Sequence, residues 1–188
     1  MRTKEEICEK ALELFKKRGY DNTPMSLVAR TLGLSKAGLY YHFPTKESLL
    51  YHISEFLMEE RFAPILEKAK RISDPEERIA YFIKDYTKLL AEDDNARVVL
   101  HDCRRLTPGH YKKIRSIWRN TFDLVRDAVS EMQRSGKARK LNRAFAAFAA
   151  IGMCSWTFYW FDYSRRESAD ELSETFSDIF LKAILKEK

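Results

Sequence analysis

Apolar residues recur along this chain at the three-and-four spacing of helices, and no stretch alternates as a strand would. From Met25 to Leu32 they fall at Met25, Val28, Ala29 and Leu32, which predicts a short helix with one face turned to a core. Gly33 ends that run where a left-handed backbone is cheap only for glycine, and Leu34 supplies an apolar plug. Ser35 can cap a second short helix by accepting a backbone N–H bond, leaving Lys36, Ala37 and Gly38 on its first exposed turn. Leu39 and Phe43, four apart, should face the core. The pattern is helix, tight turn, helix over residues 24–43.

Further helices follow from similar signals. One opens after Thr45 and is expected to run to Lys70 with Pro64 inside it, where the missing N–H bends or breaks the helix and marks a candidate hinge or a plain structural kink. Asp74, Pro75, Glu76 and Glu77 form a capped, acidic helix start leading to Leu90. A shorter helix is expected from Asp94 to Leu106. A long one opens at Thr107-Pro108-Gly109 and buries Ile114, Ile117, Trp118, Phe122, Val125, Val129 and Met132 before Ser135-Gly136 stops it. Ser168 caps a last helix with an apolar stripe at Leu172, Phe176, Ile179, Phe180 and Ala183.

Ala144 to Phe161 carries no charge across eighteen residues, the minimum for crossing a bilayer. Its alanine-rich front half, scarcity of leucine, isoleucine and valine, and charged flanks at Arg143 and Asp162 favour a helix buried within protein, so no membrane association is expected.

The chemistry of the 24–43 unit suggests duplex DNA. The second helix of such a unit lies in the major groove with its N-terminal residues at base edges, while neighbouring groups hold phosphates. Lys36 can reach guanine, Ala37 and Gly38 allow close backbone approach, and Tyr41 and His42 can donate to phosphate oxygens. Tyr40 could bury its ring or reach the DNA backbone. Thr45 and Lys46 open a helix whose N-terminus suits another phosphate. Thr23 and Ser35 complete the candidate DNA-contacting set. On periodicity alone, two amphipathic helices around a glycine fit ordinary packing better than DNA binding.

Residues Ile7 to Leu50 resemble the N-terminal domain of the tetracycline-repressor (TetR/AcrR) family of transcriptional regulators. The resemblance rests on Ala11, Leu14 and Phe15, the Gly19-Tyr20 turn, the Val28-Ala29 pair, Gly33, Ser35, Lys36, the Leu-Tyr-Tyr-His-Phe run and the Lys46-Glu47 pair, without a gap. It implies an all-α chain of about nine helices: a three-helix DNA-binding head over 1–48, and a ligand-binding and dimerising body over 49–188. It also implies that Lys36, Tyr40, Tyr41, His42 and Lys46 touch DNA. Ser26 stands where the family often has a basic residue, and Gly38 where threonine or serine is frequent.

By the same resemblance, one face of the penultimate helix lines an effector cavity and another meets a partner subunit. The candidate effector residues are Tyr86, Cys103, Arg104, Trp118, Phe122, Phe148, Trp156, Tyr159 and Trp160. A homodimer interface is expected from Ala144–Tyr163 and the last helix, at Ala147, Ala150, Cys154, Phe158, Phe176, Ile179, Phe180 and Ala183, since exposed aromatics would form a large apolar patch. The body from Asp74 to Leu185 resembles, more loosely, regulators of fatty-acid and acyl-CoA breakdown, although the basic residue that group often carries near Trp160 is lacking until Arg165. An acyl-CoA or fatty acid is therefore one candidate effector, and an aromatic drug-like ligand of an efflux regulator is the other. From a different class, a helical protein-interaction module without DNA binding remains open.

Charge changes the picture modestly. The net charge of +6 favours a polyanionic partner. Residues 1–50 hold nine Lys or Arg against six Asp or Glu, whereas residues 101–143 hold twelve against four, so most of the excess lies outside the head. That second zone reads either as the solvated face of the long helix or as arginines meeting an anionic group of the effector. Three scattered cysteines, Cys8, Cys103 and Cys154, without metal-ligand spacing, point to a reducing cytoplasm and no metal. No glycine-rich phosphate loop, nucleophile elbow or acid–histidine motif occurs, so neither catalytic residues nor a cofactor are expected.

Overall fold

The computed structural model describes residues 2–161 and 168–186. The order is α1 (Lys4–Arg18), α2 (Met25–Leu32), α3 (Lys36–His42), α4 (Lys46–Leu57), a π-helical turn (Met58–Phe62), α5 (Ala63–Lys70), α6 (Pro75–Glu92), α7 (Asp94–Asp102), a 3-10 turn (Cys103–Arg105), α8 (Pro108–Arg134), α9 (Arg143–Trp160) and α10 (Ala169–Ile184). Among the described residues the fold is all-α, with nine helices when the continuous 46–70 run counts as one, and the only extended pairing is an isolated bridge, Ala138 to Leu185.

Caps written in the sequence set most starts. Ser35, Thr45, Asp74 and Ser168 each accept the N–H of the residue three positions on. Thr3 and Glu6 bond reciprocally at the start of α1. The helix expected across Pro64 is instead interrupted upstream: α4 ends at Leu57, and Pro64 sits near the N-terminus of α5, where its missing N–H costs little.

Two compact units result. One comprises Met1–Glu59 and Asp94–Arg115. Its core joins Ile7, Ala11 and Phe15 of α1, Val28 and Ala29 of α2, Leu39 and Phe43, and Leu49, Leu50 and Ile53 of α4, with α7 packed on α1 and α4. Both α4 and the 94–115 segment share its contacts. The other unit comprises Glu60–Asp93 and Ser116–Lys188. There α6 packs against α5, α9 and α10 around Ile79, Phe82, Ile83 and Leu90. Gly136, with φ +78°, takes the left-handed turn after α8, and the Arg139 N–H donates to the Ile184 carbonyl at 2.9 Å.

No helix among the described residues is long and apolar enough to cross a membrane.

Candidate nucleic-acid interface

The helix, turn, helix unit is assembled by local rules. α2 buries Met25, Val28, Ala29 and Leu32, and Gly33 closes it at φ +69° with the Leu34 N–H donating to the Ala29 carbonyl at 2.9 Å. Ser35 accepts the Gly38 N–H at 3.0 Å and starts α3. Leu39 and Phe43 are fully buried and fix the helix's rotation, so Lys36, Ala37, Tyr40 and Tyr41 turn outward. Tyr41 is 80% exposed. Tyr40 is less so, and the Lys36 ammonium lies 5.9 Å from its ring centroid. His42 is half-buried, edge-on to Tyr41. A Cβ on Gly38 would lie 3.2 Å from the Ser35 Oγ, so the absence of a side chain there protects the cap.

The same outward strip carries hydroxyl, imidazole and ammonium donors beside a nearly bare first turn. Chemically it offers hydrogen bonds and positive charge to phosphates, and close approach to base edges.

Lys46 is placed less openly. Its ammonium sits 4.1 Å above the Tyr20 ring and donates to the Asp21 carbonyl at 3.4 Å. Burial holds its pKa below the ordinary lysine value, with Arg105 acting in the same direction and Asp21 against it. Arg105 lies 5.4 Å from the same ring and pairs with Asp21 at 2.7 Å and Asp102 at 2.9 Å. Beside it, Glu47 accepts the Thr107 N–H at 2.7 Å and faces His110 Nδ1 at 2.9 Å. Burial pushes the Glu47 carboxyl up, but the Thr107 and His110 bonds outweigh it and hold the group below the usual carboxylate range. Sequence reasoning did not join Glu47 to Thr107 and His110, or Asp21 to Arg105, since partners 60 or more positions apart carry no local signal.

Thr23 is a correction. It is fully buried, and its hydroxyl donates to the Gly19 carbonyl at 2.9 Å, so it braces the turn between α1 and α2 and offers nothing to DNA.

Within the second unit the expected interface splits. Ala147, Ala150 and Cys154 are fully buried in the chain's own core, with the Cys154 Sγ 4.0 Å from the Ile83 carbonyl, and Phe180 is buried as well. Their small side chains let α9 sit close on α6, which removes them from any outer surface. Phe158 and Phe176 are half-buried, while Ile179 and Ala183 are exposed. Tyr163 and Arg165 lie outside the described residues.

The candidate effector residues are divided between the two units. Tyr86 is buried with its hydroxyl 3.3 Å from Ser155 Oγ, and burial pushes its pKa up to about 12. Cys103 and Arg104 belong to the first unit. Trp118 and Phe122 are half-buried, and Phe122 meets Phe148 at 4.9 Å between centroids. Phe148, Trp156, Tyr159 and Trp160 are at least half exposed, as is Phe145, which sequence reasoning did not single out. A cleft of about 450 Å³ is lined by Met153, Trp156, Thr157, Trp160, Leu172 and Phe176, joining residues expected in the pocket with one expected at the interface. No group of three metal-ligating side chains occurs among the described residues.

Comparison with known proteins agrees with this geometry. The fatty acid metabolism regulator protein of Bacillus subtilis is 24% identical over 136 residues, covering 72% of this chain and 70% of that protein. IcaR of Staphylococcus aureus, a negative transcriptional regulator of the biofilm operon icaADBC, is 41% identical over 46 residues, covering 24% of this chain and 25% of that protein. The crystal structure of AibR in complex with isovaleryl coenzyme A and operator DNA aligns with a TM-score of 0.86 at 26% identity, covering 94% of this chain and 96% of that one. Residues 7–53 match the family described as bacterial regulatory proteins, tetR family, and residues 72–184 match the tetracyclin repressor-like C-terminal domain. The chain belongs to the tetR family of bacterial regulatory proteins.

Proposed function

We propose that this protein is a transcriptional repressor that binds a roughly palindromic operator as a homodimer and leaves it when an acyl-CoA occupies the body. The observation that carries the DNA-binding part is the capped α3, whose buried Leu39 and Phe43 hold Lys36, Ala37, Tyr40 and Tyr41 outward on a head matching the family's N-terminal domain. The homodimer is supported by the exposed Phe145, Phe148, Trp156, Tyr159 and Trp160 of α9, an apolar surface of the kind that marks association. A two-fold axis would present two α3 helices to successive major-groove faces.

For the effector, support comes from the AibR complex with isovaleryl coenzyme A and from the Bacillus subtilis fatty acid metabolism regulator. The acyl chain would need an apolar cavity, and the phosphates of the CoA moiety would need cations such as those exposed on α8 at Lys112, Arg115 and Arg119. The effector acts only through its different affinities for the DNA-bound and free states. Pro64, with the π-helical turn before it, is the hinge in this reading, and an unchanged effector response in Pro64→Ala would remove it from the mechanism. A protein that meets duplex DNA in a bacterium works in the cytoplasm, where Cys8, Cys103 and Cys154 would remain free thiols as they are here.

The test is selection of duplexes from a random pool by the purified chain, then fluorescence anisotropy on the winning sequence with isovaleryl-CoA, stearoyl-CoA or an aromatic cation added. Enrichment of a near-palindrome released by a CoA thioester is expected. Release by the aromatic cation alone would replace the effector, and failure to enrich any duplex would defeat the DNA-binding reading.

A further inference from the structure

The contact between α4 and the start of α8 has a regular construction that DNA binding by α3 does not explain. Glu47, Tyr51 and Glu55 repeat every four residues along one face of α4. Against them stand Thr107, His110 and Lys113, repeating every three at the opening of α8. The Glu47 carboxylate takes the Thr107 N–H at 2.7 Å and His110 Nδ1 at 2.9 and 3.2 Å. The His110 ring then lies flat on Tyr51, with centroids 3.9 Å apart and planes 10° from parallel. Lys113 sits 5.4 Å above the Tyr51 ring, and the Tyr51 hydroxyl bonds Glu55.

Glu47 itself is an acid one residue from Lys46, in the first turn of α4. An acid there opposes a polyanion on charge alone. Its geometry offers another purpose: with the carboxylate anchored on a backbone N–H and an imidazole, the first turn of α4 is tied to α8. We propose that Glu47 is a positioning residue for operator binding, holding the Thr45–Lys46 turn in its DNA-competent place through Thr107 and His110 without touching DNA. This rests on the DNA-binding reading. The tie is hydrogen-bonded and ends on α8, a helix that runs from Pro108 to Arg134.

The electrostatic and positioning roles differ in sign, which makes them separable. Operator affinity and its salt dependence are measured for the full chain, for Glu47→Ala, Glu47→Gln and His110→Phe, and for the Glu47→Ala/His110→Phe pair, with melting curves confirming that each is folded. His110→Phe keeps a ring for Tyr51 and leaves the acid in place, so it serves if Glu47→Ala does not fold. Positioning predicts that Glu47→Ala and His110→Phe each weaken binding roughly tenfold, and that the double variant loses no more than the worse single one. It also predicts a slope of log affinity against log salt that is shallower by about one, as a phosphate contact of the α4 turn is lost. Glu47→Gln, which can still accept the Thr107 N–H, should recover part of the loss. Equal or tighter binding by Glu47→Ala, an unchanged slope, or losses that add would overturn the proposal. If the parent chain itself selects no duplex, the DNA-binding reading fails and takes this inference with it, an outcome visible before any variant is made.

Discussion

Two regions of this molecule expose aromatic rings, and their surroundings differ. On α3, Tyr40 and Tyr41 stand beside Lys36 and His42 on a helix of seven residues, pinned from below by Leu39 and Phe43. On α9, Phe145, Phe148, Trp156, Tyr159 and Trp160 stand on a helix with no charge after Arg143. The first surface pairs each ring with a donor or a cation, which suits phosphates and base edges. The second carries its rings on a helix whose own residues after Arg143 are uncharged, which suits another apolar surface. Exposed aromatics thus carry no single meaning; the polar groups within reach decide which partner they fit.

The comparison can be broken by exchanging those polar groups. The largest effect is expected on α9: Trp160→Asp should weaken self-association by about 2 kcal/mol or more, the scale of an interface hot spot. Sedimentation should then show the 22.2 kDa species at concentrations where the parent is dimeric. An unchanged dimer would mean that this face is not the interface.

Next comes α3. Lys36→Ala should lower operator affinity roughly tenfold to a hundredfold and relax base preference, while leaving sedimentation unchanged. Loss of self-association in this variant would blur the distinction between the two regions. Ser35→Ala should cost the head about 1 kcal/mol through its missing cap, read from the denaturation midpoint, with α9 association unaffected. Thr23→Val should reduce stability by a similar amount, about 1 kcal/mol, through its buried hydroxyl, yet leave the salt slope of DNA binding where it was.

The smallest effect concerns pH. Glu47 is held below its ordinary value of 4.5 in the folded head. A depressed carboxyl stabilises the fold fully above that value and loses the contribution as pH falls through the folded one. Acid titration of the head should therefore be less steep in Glu47→Gln than in the parent, measured by circular dichroism.

What was legible in the sequence follows the range of the interactions. The α2–Gly33–α3 boundaries, the Ser35, Thr45, Asp74 and Ser168 caps and the burial of Leu39 and Phe43 depend on residues within four positions of one another, and all could be read directly. α9 resisted for the opposite reason. A helix apolar on every side does not reveal which face turns inward, so its sequence does not show that Ala147, Ala150 and Cys154 serve α6 rather than a partner. Thr23 carries the polar group of a surface contact, and only the fold shows its hydroxyl aimed at Gly19. The Glu47–His110 and Asp21–Arg105 pairs bridge 63 and 84 positions, beyond any periodicity. Pro64 signalled an irregular helix correctly, but the irregularity is a π-helical turn beginning at Met58.

In the proposed function, α3 meets duplex DNA through donors and cations held outward by its buried residues. Its most direct test is a titration of the purified chain against its selected duplex at several salt concentrations. The account predicts a linear fall of log affinity with log salt; for a dimer neutralising about 6–10 phosphates the loss would be ~10³–10⁵ between about 50 and 200 mM. Binding that ignores salt, or no duplex binding at all, would contradict it.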